Sequence, residues 1–398
     1  MDFDLSEEQR LLKDSVERLM LDSYGFDQRR KYQAEHLGFS DAMWTRYAEL
    51  GLLALPFPEE YGGLGGSAVE TMILMEAFGK ALILEPYFAT VVLAGGILRH
   101  GASDAQKAEL IPAIAEGRMK LAFAFAERLA HYDLFAVQTQ AEKDGDGWLL
   151  NGSKGLVLHG AAADKIVVSA RTGGTSGDQH GIGLFLVDGN APGLTRRGYQ
   201  TQDGLRAAEI KLENVRVEAI DAIGEPGRAF PVIAQVADEA IAALCAEAVG
   251  CFAQMQALTL DYLKIRQQFG QAIGSFQVLQ HRAVDMYVDL EQSRSMAMYA
   301  TMMASTNDTT ERARAMSAAK AQVGQSAKAI GRQSIQLHGG VGMTMEYRIG
   351  HYFKRGTMID TLFGDVDHHV RRLAALGGLF DDGHEKGSLD NFQASSRS

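Results

Sequence analysis

The hydrophobic period of this chain changes twice, and that double switch restricts its folding more than any single motif. Up to about residue 120 the apolar residues recur at helical spacing. Leu11, Leu12, Val16, Leu19 and Met20 open the first run, behind a Ser6 and Gln9 pair that reads as a capping box. Helices are expected over 42–53, 68–81, 87–99 and 104–116, interrupted by PFPEEYGGLGGS and by Glu85-Pro86. From residue 121, short segments rich in Val, Ile, Phe, Leu and Thr alternate with Gly, Asp and Asn, which is how a β-domain reads. Its turn signals are Asp144-Gly145-Asp146-Gly147 and Asn151-Gly152. From about Phe230 the helical period returns in long runs, over 238–266, 276–305, 311–337 and 365–379. Four such helices with short loops make an antiparallel bundle. The expected fold is α+β and multidomain. It has an N-terminal helical domain (1–120), a middle β-domain (121–229), a C-terminal four-helix bundle (230–380) and a polar tail (381–398).

A length of 398 residues is consistent with two to three domains. Lys and Arg number 39 against 50 Asp and Glu, a formal net charge of −11. That balance disfavours broad binding to nucleic acid or to an anionic membrane. No apolar run reaches the roughly 18 residues of a membrane span, and the charged N-terminus lacks a signal-peptide core. Cys245 and Cys251 lie in one helical run on different faces, so no disulfide framework is expected. These features suit a soluble, cytoplasmic protein.

Three constellations could carry chemistry. Arg266-Gln267-Gln268-Phe269-Gly270, followed by Phe276-Gln277, sets a cation and an aromatic where one helix ends and another begins. An Arg fork there suits a pyrophosphate, although it equally suits a helix C-terminus. Gln336-Leu337-His338-Gly339-Gly340 ends the third bundle helix with more glycine than a cap needs, which allows a ligand close to the backbone. Asp365, Asp367, His368 and His369 resemble metal ligands. Adjacent helical histidines diverge by about 100°, however, so a helix cap suits one of the aspartates better and no metal is expected.

In this order the pieces resemble the acyl-CoA dehydrogenases, FAD-dependent flavoproteins, over about residues 3–380. The motifs are FDLSEEQ, ELGLLALPFPEEYGGLGG, NGSKGLVLHGAAAD, RQQFGQAIGSFQVLQ and QLHGGVGM. DVDHHVRRL is most similar to the small-subunit branch of heteromeric enzymes acting on dicarboxylic acids or steroid side chains. The resemblance implies a helical domain, a β-barrel-like middle domain and a four-helix bundle, in homo- or hetero-oligomers. It implies oxidation of an acyl-CoA to the 2,3-enoyl-CoA, with electrons passed to an electron-transferring flavoprotein. By motif, Arg266, Gln268, Phe269, Phe276 and Gln277 would touch FAD held mainly by a neighbouring subunit. Gln336, Gly339 and Gly340 would receive its adenosine and pyrophosphate end.

The sequence also departs from the family pattern. Ala126 stands where a flavin-reaching hydroxyl is usual, and Leu156 and Leu158 replace an aromatic and a hydroxyl. Leu158 retains only its backbone N–H as a donor. The α-proton must be taken by a carboxylate, which the family supplies as Glu in a turn before the last helix. Matching forward from Arg355 puts Gly364 there, and matching backward from Val370-Arg371-Arg372-Leu373 puts Asp365 there. Some members place the base on the first bundle helix. That position is Ala240, with Glu239 one residue away and rotated by about 100°. Asp365, Glu239 and no base at all remain open, the last making the chain a silent partner that completes another subunit's FAD site.

Overall fold

The structure, a computed structural model, describes residues 5–377. The N-terminal part is helical: α1 (Glu7–Ser23), α2 (Phe26–Gln33), α3 (Asp41–Glu49), α4 (Ala68–Ala81), α5 (Gly95–Gly101) and α6 (Asp104–Ala115). Capping boxes open α1, α4 and α6, with Ser6, Ser67 and Ser103 bonding the third helical N–H while Gln9, Glu70 and Gln106 reach back. The helix expected over 42–53 stops at Glu49, because the chain turns through Gly51 at φ +73°. The run expected over 87–99 is a π-helical stretch, Phe88–Ala94, that continues into α5. Trp44, Tyr47, Leu53, Phe57, Phe78 and Tyr87 are buried in this domain's core.

The middle part is one eight-stranded sheet of β1 (Leu121–Ala124), β2 (Gln140–Asp144), β3 (Gly147–Leu158), β4 (Lys165–Arg171), β5 (Ile182–Asp188), β6 (Leu194–Gln200), β7 (Arg206–Val217) and β8 (Ala222–Ile223). The strand order is β6-β7-β3-β2-β4-β5-β8, with β1 parallel to β4. The hydrogen-bonded path ends at β6 and β8 rather than closing on itself. Gly145-Asp146 closes the β2–β3 hairpin, as the turn signal predicts. Asn151-Gly152 is not a turn. It lies inside β3, where the register against β7 slips. Gly152 is required there because a Cβ would stand 2.6 Å from the Thr139 hydroxyl. Strand β6 has no clear sequence signal, since its LTRRGYQ edge is mostly exposed.

The C-terminal part contains α7 (Phe230–Ile265), a small hairpin of β9 (Gln267–Gln268) and β10 (Gln271–Ala272), α8 (Gln277–Met303), α9 (Thr309–His338), α10 (Ile349–Thr361) and α11 (Val366–Ala375). Helix α7 begins at Phe230, ahead of residue 238, with Pro231 in its first turn where a missing N–H costs nothing. Helix α10 has no counterpart among the expected helices. Its inner face is Ile349, Tyr352, Gly356 and Ile359, with His351, Arg355 and Asp360 also buried. A glycine and three polar residues on that face obscure the apolar period. The last expected helix, 365–379, is α11. Residues 378 and 379 and the polar tail lie outside the described residues.

A buried ionic knot ties the three parts together. Arg355 of α10 donates to both carboxylate oxygens of Glu247 on α7, at 2.6 and 2.7 Å, and to Asp203 beyond β6 at 2.8 Å. Arg29 of α2 donates to the backbone oxygens of Asp203 and Leu82. No helix among the described residues is long and apolar enough to cross a membrane.

Candidate active site

A cleft of about 950 Å³ opens between the sheet and the C-terminal end of α10. Phe125, Ala126 and Leu156 line it on the sheet side, and Thr361, Leu362 and Phe363 on the other. The Phe125 and Phe363 rings stack at 5.0 Å and 19°, and Phe88 meets Phe363 edge-on. The register of β3 against β7 slips again between Lys154 and Val157, which frees this stretch of backbone from the ladder. Lys154 is fully buried in the cleft wall and donates to Glu127 Oε1 at 2.7 Å and Ser169 Oγ at 3.0 Å. Burial pushes its ammonium down to about 8, against the pull of the Glu127 carboxylate.

Beyond Thr361 the chain turns sharply, with Phe363 at φ +58° and Gly364 at φ +114°. A Cβ on Gly364 would stand 2.5 Å from His368 Cδ2 and 2.8 Å from His369 Nε2. A side chain at 364 would be strained by this backbone, and of the two matched positions Asp365 is the one that bears a carboxylate. Asp365 caps α11, where its Oδ1 accepts the His368 N–H at 2.8 Å. The Tyr132 hydroxyl, on the cleft lining, donates to the other oxygen at 3.4 Å. The His368 N–H holds the Asp365 carboxyl below the usual range, and Lys328 and Tyr132 add to this against partial burial.

The structure does not bring Glu239 to this turn. Glu239 lines a second cavity of about 500 Å³, bounded by α4, α5, α7 and the end of α8. Its carboxylate accepts from Arg99 at 2.8 Å, lies 2.7 Å from His100 Nε2 and accepts from Gln235 at 3.1 Å. Burial pushes this carboxyl up, but His100 and Arg99 outweigh it and pull it down to about 2. A carboxylate so engaged is a poor proton acceptor. Ala240 is buried in the core. Leu158 lies off the large cleft, in a narrow cavity with Phe88, His159, Glu247 and Arg355, whereas Leu156 faces the cleft itself.

The remaining expected cofactor residues gather at the other end of α10. Helices α7 and α9 run in the same direction, so the Arg266 hairpin and the Gln336-to-Gly340 stretch meet at one end of the bundle. Stacking of Tyr262 on His338 at 4.6 Å, and a tilted contact of His338 with Tyr347 at 5.0 Å, join them. Arg266, Gln268, Phe269 and Gln277 are exposed, as are Gln336, Gly339 and Gly340. Phe269 is 92% exposed and touches Phe276 edge-on at 6.1 Å. Gly339, at φ +59°, is the C-cap of α9, and open space lies beside both glycines. Helix α10 has 13 residues. At 1.5 Å per residue, roughly 20 Å separates this group from the cleft.

Three family models match in order along the chain: the acyl-CoA dehydrogenase N-terminal domain over residues 6–118, the middle domain over 122–215 and the C-terminal domain over 227–375. The chain belongs to the acyl-CoA dehydrogenase family. It is 30% identical to the probable acyl-CoA dehydrogenase YngJ of Bacillus subtilis, over 94% of this chain and 98% of that one. Among solved structures it is similar to a variant of the steroid ACAD Tcur3481-Tcur3483, with 29% identity, a TM-score of 0.83 and coverage of 93% and 97%. It is also similar to PigA with FAD and proline, with 26% identity, a TM-score of 0.86 and coverage of 95% and 100%. The expected three-part α+β fold is therefore that of a family of FAD-dependent oxidoreductases.

The residues present fit such a cofactor in two separated halves. The Phe125, Leu156, Leu362 and Phe363 walls suit a planar ring. The exposed Arg266 fork and the open Gly339 and Gly340 backbone suit a pyrophosphate. Sequence reasoning did not single out Tyr132 or Lys154. Strand alternation from Leu150 puts Lys154 on the inward face, which was a usable signal. Tyr132 gave none, since its contact with Asp365 spans 233 positions of sequence.

Proposed function

We propose that this acyl-CoA dehydrogenase oxidises an acyl-CoA thioester to the trans-2,3-enoyl-CoA in the cleft between the sheet and α10, with Asp365 taking the α-proton. The observation that carries the reading is Asp365 itself. It is the carboxylate of the turn that carries Phe363, and its second oxygen accepts the hydroxyl of Tyr132 on the cleft lining. Bound FAD supplies the hydride acceptor for the β-carbon. The chain's own residues do the rest. Phe88, Phe125 and Phe363 exclude water from the reacting carbons. Tyr132 orients the Asp365 carboxylate. Desolvation by a bound thioester raises that carboxyl towards the range of a working base.

The exposed Arg266, Gln268, Phe269, Gln277, Gln336, Gly339 and Gly340, with the half-buried Phe276, form the half-site offered to FAD of a neighbouring subunit, the same chain or a related one. Since one chain supplies the two halves roughly 20 Å apart, assembly completes the site. Electrons then leave to an electron-transferring flavoprotein in the cytoplasm.

The test is Asp365→Asn in the assembled holoenzyme, with Glu239→Gln alongside. Asp365→Asn is expected to retain bound flavin and to lose its reduction by acyl-CoA. Undiminished bleaching of the flavin absorbance in Asp365→Asn would refute the assignment.

A further inference from the structure

We infer that Lys320 is a positioning residue for this reaction: its ammonium clamps the 361–365 turn by its backbone and so sets where Phe363 and the Asp365 carboxylate stand. This rests on the reading that the turn belongs to the reacting site.

Lys320 lies in the middle of α9 and is 0% exposed. Its Nζ donates to the backbone oxygens of Asp360 and Gly364, each at 2.8 Å. These two carbonyls bracket the turn. The first belongs to the last turn of α10, whose carbonyls have no partner within the helix. The second directly precedes Asp365. A further side chain holds the apex, where His369 Nε2 lies 3.1 Å from the Phe363 oxygen.

The turn needs holding. A phenylalanine at φ +58° is in the left-handed region, which costs roughly 1–2 kcal/mol, and such strain persists only where the surroundings over-determine it. Lys320 is what over-determines it from beneath. No carboxylate forms an ion pair with Lys320 among the described residues, and the Asp360 carboxylate pairs instead with Lys328 at 3.0 Å. A buried ammonium is costly when it serves packing alone, because a methionine would fill the same space without desolvating a charge. Here its charge goes to the two carbonyls that set the turn.

The groups facing Lys320 are Cys245 of α7, Asp360 of α10, Lys328 on its own helix, and Asp365 and His369 at α11. Burial pushes the Cys245 thiol up to about 12 and the His369 ring down to about 2, so both are neutral near pH 7. Burial likewise pushes the Lys320 ammonium down to about 8, so the clamp is charged at pH 7 and loses its charge above pH 8.

The test is Lys320→Met in the holoenzyme, with flavin content, native mass, steady-state kinetics and amide exchange read together. A shift of about 1 Å in a reacting group costs on the order of 100-fold, so kcat is expected to fall roughly 10- to 100-fold with KM within about twofold. Amides of residues 361–366 should lose protection while those of α9 keep theirs. A folded, flavin-loaded Lys320→Met with unchanged kcat overturns the proposal, and so does loss confined to KM. If Lys320→Met does not fold, wild-type holoenzyme is followed from pH 7 to 9. Protection at 361–366 should then fall beyond the rise in intrinsic exchange, and protection that stays uniform with the rest of α10 overturns the clamp. Should Asp365→Asn stay active while Lys320→Met loses kcat, the base assignment fails and the clamp stands.

Discussion

Arg355→Met removes the cation at the centre of the buried knot. In the native chain this guanidinium donates to Glu247 twice and to Asp203 once, with side chains 6%, 8% and 1% exposed. Methionine fills most of the volume but leaves two carboxylates buried without their partner. Breaking a buried pair from one side costs about 3–5 kcal/mol, against total stabilities of about 5–15 kcal/mol. Arg29 still donates to the Asp203 backbone oxygen, which places the expected loss at pH 7 towards the lower end, about 3 kcal/mol. The loss depends on pH in a definite sense. In the wild type, the Asp203 carboxyl is pushed up by burial but held below its ordinary value chiefly by Arg355. It therefore contributes stability above its unfolded value, and that stability disappears as pH falls through the lower folded value. In Arg355→Met the largest lowering influence is gone and only the Thr201 hydroxyl and the Leu205 N–H still oppose burial, so the carboxyl rises and the penalty shrinks as pH falls from 7 to 5. Urea unfolding followed by the fluorescence of Trp44 and Trp148, one in the helical part and one in the sheet, reports both sides of the knot. Because the knot also fixes the sheet against α10, the two walls of the cleft, bound flavin should fall in parallel. A cost under about 1 kcal/mol at pH 7, or one that does not change with pH, would refute the reasoning.

Other outcomes follow from the same geometry. The Glu239 carboxyl is held at about 2 rather than 4.5, which at 1.36 kcal/mol per pH unit is ~3 kcal/mol of stability. That stability is present above pH 4.5 and lost as pH falls towards 2. Glu239→Gln should therefore lower the urea midpoint at pH 7, with a smaller difference at pH 3, and leave acyl-CoA reduction of the flavin intact; loss of that reduction would move the base to Glu239. Phe269→Ala, at a side chain 92% exposed, should change chain stability by less than about 0.5 kcal/mol. If the proposed half-site is right, it should weaken flavin retention about tenfold, equivalent to 1.4 kcal/mol, because the exposed ring is then an FAD contact. Unchanged retention in equilibrium dialysis would show that the 267–272 hairpin does not touch FAD.

The sequence alone determined the order of helical, sheet and helical parts, because the apolar period changes from about 3.6 to 2 and back. It also specified the capping box at Ser6 and the Gly145-Asp146 hairpin, since these signals act within a few residues. The Arg266 and QLHGG motifs were legible as chemistry for the same reason. Tertiary structure alone decided the rest. Helix α10 was hidden because its inner face carries Gly356, Arg355 and Asp360, whose burial is made tolerable by Glu247, Asp203 and Lys328, all distant in sequence. The crowding at position 364, with a φ of +114° and the His368 and His369 rings beside it, comes from the fold and is invisible to an alignment. Glu239 and Asp365 are both carboxylates by sequence. Arg99 and His100 engage the first, and only a helix N-terminus and one tyrosine hold the second. Charges and strained turns are settled by neighbours that the fold brings from far along the chain, whereas periodicity and caps are settled by neighbours already adjacent in sequence.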